Sequence, residues 1–244
     1  MGRRQLPRLI KGCELAVADS AYNAAELERG GAENTAVLPI LVPFADCDTP
    51  PCAHTMEKYG DGRTNVLFVG RVVPNKKFED VIRAFALYQR SFDPTARLIL
   101  AGGLDTVPAY SRRLKAWAGA LGAANVVFTG KIPFAELLAL YRTASVFLCL
   151  SEHEGFCVPL LEAMYFDVPI VARRCAAVGE TLGESGVQLD SADAAGAAAA
   201  IRALQSHGAL RESVLGAQRR RLAEFSHERV LERAREVFGE VCHG

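Results

Sequence analysis

Two glutamates stand eight positions apart in Ser151-Glu152-His153-Glu154-Gly155-Phe156-Cys157-Val158-Pro159-Leu160-Leu161-Glu162-Ala163-Met164. Upstream, Gly70-Arg71-Val72-Val73-Pro74-Asn75-Lys76-Lys77 carries cations at spaced positions. Arg71 and Lys76 on one loop suit a diphosphate, the guanidinium as a planar fork and the ammonium as a point charge. Gly70 lets that loop turn tightly. Glu162 lies among Leu160, Leu161 and Met164, and a carboxylate in such surroundings needs polar partners. Paired ribose hydroxyls are one natural partner, because a carboxylate can accept from both. Pro159 fits a first helical turn. The helix therefore starts near residues 155–158, where free backbone N–H groups and the helix dipole attract an anion. Glu154 precedes that start and can face a sugar or cap the helix. A third stretch, Phe128-Thr129-Gly130-Lys131-Ile132, places a glycine where a turn closes or a base approaches the backbone. Taken singly, each has a plainer account: a solvated basic loop, a capping carboxylate, a solvated helix residue, a turn glycine. His153 reads as a loop residue.

Several functions are excluded. GxxxxGK[ST] and GxGxxG are both missing, so the P-loop and nicotinamide readings lose their main support. The 28 basic and 28 acidic side chains of the 244 residues balance, which argues against a nucleic-acid binder. Seven scattered cysteines show no paired CxxC spacing and read as reduced thiols, with Cys47 and Cys52 an incidental loop pair. No metal ligands are assigned. Apolar runs reach strand length only, well short of the roughly 20 residues a membrane helix needs. Arg3 and Arg4 are not followed by an apolar region, so no secretory leader is read. The expectation is a cytoplasmic protein, with association at a membrane surface the second option.

These residues need elements to position them. Apolar runs at 66–69, 98–101, 126–128, 146–150, 168–172 and 187–189 read as strands. Amphipathic stretches at 78–91, 110–121, 134–141 and 158–165 read as the helices between them. Strands apolar throughout belong to parallel sheets covered on both faces. The alternation predicts an α/β, Rossmann-like doubly wound parallel sheet, followed by a C-terminal helical extension. Ser191 is the expected cap of an alanine-rich helix to residue 206, and helices over 210–225 and 227–241 follow. Near the start, a strand at 14–18, a helix capped by Ser20 and a strand at 35–38 form one small unit. Pro39, Pro43, Pro50 and Pro51 mark a linker with few helix or strand prospects. The expected division is an N-terminal unit over 1–45, a linker to about 62, a ligand-binding domain over 63–225 and a terminal helix over 226–244.

In order and spacing, Gly70-Arg71 with Lys76, Phe128-x-Gly130, Ser151-x-x-Glu154-Gly155-Phe156 and Glu162 resemble the family-4 retaining glycosyltransferases of the GT-B fold. Gly179-Glu180-Thr181-Leu182 is similar to another family segment, with Gly179 where proline is usual. The likeness covers about residues 14–240. It implies that Arg71 and Lys76 stabilise the diphosphate of a nucleotide-sugar donor. Glu162 would hold the ribose and Glu154 the transferred sugar. Gly70, Gly130, Lys131, Ile132, Gly155, Phe156, Cys157 and Val158 would line the donor, with Glu180 nearby. The family needs no cofactor and no divalent metal. Residues 1–45 would be the remnant of an acceptor domain, so a partner chain supplying that half is implied, with a saccharide or lipid-linked acceptor. Two other readings are a non-catalytic nucleotide-sugar-binding subunit and a GT-B-like epimerase.

Overall fold

The computed structural model describes residues 9, 10 and 12–242, and side chains as far as residue 239. Arg3 and Arg4, the outer ends of the first and last expected units, and the Cys242 side chain lie outside this. A two-stranded parallel sheet pairs β1 (Ala16–Ala18) with β2 (Thr35–Val37) around α1 (Ala21–Arg29). Ser20 caps α1 as expected, its hydroxyl accepting from the Asn23 N–H at 3.2 Å.

The main body is a six-stranded, all-parallel sheet. Its strands are β3 (Asn65–Val69), β4 (Arg97–Ala101), β5 (Val126–Gly130), β6 (Val146–Cys149), β7 (Ile170–Arg173) and β8 (Val187–Leu189). They lie in the order β5-β4-β3-β6-β7-β8. Val66, Leu67, Ile99, Leu100, Phe147 and Leu148 are buried, as strands covered on both faces require. Between and after the strands run α3 (Phe78–Ser91), α4 (Pro108–Ala120), α5 (Phe134–Thr143), α6 (Val158–Tyr165), α7 (Val178–Leu182), α8 (Ala194–Ser206), α9 (Gly208–Ala223) and α10 (His227–Cys242). The doubly wound fold with helical extension is therefore present.

Two local expectations are corrected. The stretch read as plain linker holds a 3-10 turn (Phe44–Asp48) and the helix α2 (Ala53–Tyr59), which packs on α5. Pro50 and Pro51 precede that helix rather than break it, with Cys52 at its cap. Asp193, not Ser191, caps α8, its carboxylate accepting from the Ala195 and Gly196 N–H groups at 3.0 and 2.9 Å. Ser191 lies two residues too early to reach those donors.

Candidate functional site

The strand order decides where a ligand can sit. The chain leaves the central β3 towards β4 and β5, then returns to pair β6 with β3 on its other side. Where the direction reverses, the connections diverge and leave a crevice beyond the carboxyl ends of the strands. The loops after β3 and β6 frame it, and they carry Arg71, Lys76 and Glu154.

Backbone geometry fixes these loops. The Gly70 N–H donates to Ala101 O at 2.9 Å. A Cβ on Gly102 would lie 1.9 Å from Gly70 O, so only glycine permits the approach. The two framing loops are also joined to each other. The Glu152 N–H donates to Asn75 O at 2.9 Å, Asn75 Nδ2 donates to His153 O at 3.2 Å, and Lys77 Nζ pairs with Glu152 at 2.8 Å.

At the centre, Lys76 Nζ forms an ion pair with Glu154 Oε2. The glutamate side chain is 6% exposed and the lysine 19%. The other glutamate oxygen, Oε1, is buried and has no hydrogen-bond partner among the described residues. Such an oxygen has lost its water without compensation, so a ligand hydroxyl donating to it would recover that cost. Arg71 is exposed at the crevice edge.

Cys157 caps α6 in the left-handed conformation, φ 69° and ψ 61°, with no capping bond from its side chain. A non-glycine residue there carries backbone strain of about 1–3 kcal/mol. The helix α6 then begins at Val158, four residues after Glu154. Phe156 is 5% exposed and meets Phe225 edge-on at 5.7 Å, so its ring belongs to the core. Its carbonyl accepts from the Thr181 hydroxyl at 2.6 Å.

Glu162 lies one turn further along α6 and faces a different hollow. The Tyr141 hydroxyl donates to its Oε2 at 2.6 Å. It lines a cavity of about 340 Å³ with Val42, Cys47 and the half-exposed Phe134. Burial raises the Glu162 carboxyl above its ordinary range, while the Tyr141 hydrogen bond opposes that shift. The same burial, with Glu162 nearby, pushes the Cys47 thiol up to about 11. Gly130 (φ 71°) ends β5 and leads through exposed Lys131 and half-buried Ile132 to Phe134. One chain segment thus joins the β5 loop to the Glu162 cavity.

Glu180 lies on α7, directly after the segment whose Ala177 N–H donates to Glu154 O at 3.2 Å. Its two oxygens accept from the Ala21 and Tyr22 N–H groups at 2.7 and 3.1 Å, at the N-terminus of α1. It ties the small unit to the main body. The sequence did not reveal what that unit brings to the Glu154 loop. The Ser20 hydroxyl donates to Gly155 O at 2.7 Å, Asn23 Nδ2 donates to Asp19 at 2.7 Å, and Tyr22 meets His153 edge-on at 5.7 Å. Ser20 was legible as a cap, but its second bond spans 135 positions. Tyr141 gave no signal, being one aromatic residue on an apolar helix. Cys149 and Cys157, read only as scattered thiols, lie together against Glu154.

The arrangement offers cations and a helix N-terminus to an anion, a buried oxygen to a hydroxyl, and a partly apolar cavity with the carboxylates of Asp46 and Glu162 beside them. Comparison with known proteins points the same way. The family model for glycosyl transferases group 1 matches residues 56–221. A D-inositol 3-phosphate glycosyltransferase of Acidothermus cellulolyticus is 36% identical over 163 residues, 62% of this chain and 36% of that protein. A GDP-mannose-dependent alpha-(1-6)-phosphatidylinositol monomannoside mannosyltransferase of Mycolicibacterium smegmatis is 35% identical over 175 residues, 65% of this chain and 44% of its own length. The chain thus spans well under two thirds of either relative. In fold it is similar to a sucrose-phosphate synthase from Thermosynechococcus elongatus, with a TM-score of 0.81 at 23% identity over 99% of this chain and 62% of that one. Anabaena HepE in complex with UDP-glucose gives 0.81 at 18% identity over 100% of this chain and 69% of that one.

Proposed function

Because the chain belongs to the glycosyl transferases group 1, we propose that it forms the donor-binding portion of a retaining glycosyltransferase that moves a sugar from a nucleoside-diphosphate sugar to an acceptor. The observation that carries this reading is the Lys76–Glu154 ion pair, with Glu154 Oε1 left open, between the loops after β3 and β6 at the reversal point of the sheet. Cleavage of the sugar–phosphate bond builds negative charge on the departing diphosphate. We assign Arg71, Lys76 and the first N–H groups of α6 to meet that charge, which lowers the barrier. In this reading they do the work that a divalent metal does elsewhere. The unpartnered Glu154 oxygen accepts from a sugar hydroxyl. Glu162 accepts from the ribose hydroxyls, with the base towards Phe134 and the backbone of residues 130–132.

Lys76 holds one Glu154 oxygen and lowers its nucleophilicity. We therefore assign attack on the same face through an oxocarbenium-like ion pair, in preference to a covalent Glu154 adduct. Residues 1–45 are read as part of an acceptor domain, with 63–225 as the donor domain. The remaining acceptor contacts are assigned to protein beyond these elements, in this or a partner chain. The two relatives named above act on inositol phosphate or phosphatidylinositol mannoside, which makes a phosphorylated or lipid-linked polyol a sensible first acceptor to try.

Calorimetric titration with UDP, GDP, ADP and CMP in EDTA tests the donor site. One nucleotide should bind, and Arg71→Ala should weaken it. No binding of any nucleotide, with or without magnesium, overturns the assignment.

A further inference from the structure

We propose that Cys149, Glu154 and Cys157 form a binding site for a thiophilic divalent cation of the zinc type. Cys149 ends β6 and is fully buried, while Cys157 caps α6 and is 8% exposed. Their sulfurs and a Glu154 oxygen all lie within 4.8 Å of one another. In tetrahedral zinc sites the bonds are about 2.0–2.3 Å, which sets ligand atoms about 3.5–3.8 Å apart, so rotations moving these atoms by about 1 Å would close the set. Two sulfurs and one carboxylate oxygen select a soft or borderline cation over magnesium or calcium. Three protein ligands leave a fourth position open, as in zinc sites that also bind a small molecule.

Two further observations support a ligand here. Glu154 Oε1 is buried and unpartnered, in a side chain 94% removed from solvent. A cation on Oε1 satisfies it while Oε2 keeps its bond to Lys76. The charge count also closes. A divalent cation enters as two thiol protons leave for solvent, so the cluster with Lys76 stays neutral before and after. No net charge is buried, and the usual penalty for carrying a cation inside a protein is avoided.

The consequence rests on the donor-site reading above, because the bound cation occupies the oxygen assigned to the sugar. Cation binding and sugar binding then exclude each other.

Cobalt(II) titration of the reduced chain tests the site, since cobalt reports its own ligands. The expected result is one equivalent bound, with a sulfur-to-cobalt charge-transfer band, the intense visible bands of four-coordinate cobalt and release of two protons. Zinc should displace the cobalt. The signal should be lost in Cys149→Ala and in Cys157→Gly, and kept in Cys47→Ser/Cys52→Ser. Glycine is the substitution least prone to misfolding at 157, because the backbone there is already left-handed. A signal that survives in Cys149→Ala/Cys157→Gly, or a weak six-coordinate spectrum in the unaltered chain, overturns the proposal. The readout uses no nucleotide, so its failure is distinct from failure of the transferase reading.

Discussion

The Lys76–Glu154 pair predicts an asymmetry between two substitutions that remove the same bond. Glu154 is 6% exposed and Lys76 is 19% exposed, so the carboxylate is the more deeply confined charge. Lys76→Met removes the one partner that the described residues give a buried carboxylate whose other oxygen has none among them. Leaving one member of a buried pair uncompensated costs about 3–5 kcal/mol. For a chain of this size each kcal/mol lowers Tm by about 2–4 °C, which gives a fall of roughly 6–20 °C. Glu154→Gln loses the same ion pair but takes the confined charge away, and Lys76 can turn to solvent. Its cost should stay below about 1 kcal/mol, because the lost charged hydrogen bond is offset by the desolvation no longer incurred. The double variant should resemble Glu154→Gln alone. Urea unfolding of the three variants at pH 7, compared at unchanged m-value, measures the ordering. A Glu154→Gln cost equal to or above that of Lys76→Met would refute the reasoning, since the penalty would then not reside in the confined carboxylate.

Other expectations follow from the same geometry. Arg71→Ala should weaken nucleoside diphosphate binding by roughly 1–3 kcal/mol and leave the melting temperature unchanged, because Arg71 is exposed; unchanged affinity in calorimetry removes it from the site. Glu162→Ala should weaken nucleosides with and without a sugar, whereas Glu154→Ala should matter only for the nucleotide-sugar; equal effects of Glu154→Ala on both ligands would sink that division. The raised Glu162 carboxyl binds its proton to higher pH in the folded chain than in the unfolded one. Its own contribution to stability therefore falls as pH rises from the ordinary carboxyl range through the raised value. Nucleoside affinity should rise across that same window, as the ionised form becomes available to accept from ribose, and a flat profile would count against the ribose role. Gly102→Ala must move either the new Cβ or Gly70, which are set 1.9 Å apart, and should cost about 3 kcal/mol or more by thermal unfolding.

The sheet was legible because the central strands carry unbroken apolar runs, at 66–69, 98–101 and 146–149, which burial on both faces explains. The helix over 53–59 was hidden by Pro50 and Pro51, which punctuate a chain equally well before a helix and within a loop. Either Ser191 or Asp193 could be a cap in sequence, and the reach to two N–H groups chose between them. Lys76 and Glu154 were each legible as residues able to meet a donor. Their mutual pairing was not, since 78 positions separate them and only the strand order brings them together. The Cys149 and Cys157 sulfurs meet because one residue ends a strand while the other caps a helix, so the periodicity of neither element relates them. Glu180 was legible only through its motif, and the bonds of its carboxylate to the α1 N-terminus, 159 and 158 positions away, were not.

The last helix also reaches back to the first strands. Arg233 on α10 donates through Nε to Val37 O at 3.2 Å, at the end of β2. The small unit is therefore attached in two places, covalently by the segment after β2 and by a side-chain bond from α10. A door on a single pin can swing any way, but a door on two pins turns only about the line through them. Two attachments leave the small unit fewer ways to move than one would. The Glu180 carboxylate, bonded to the α1 N-terminus, adds a third.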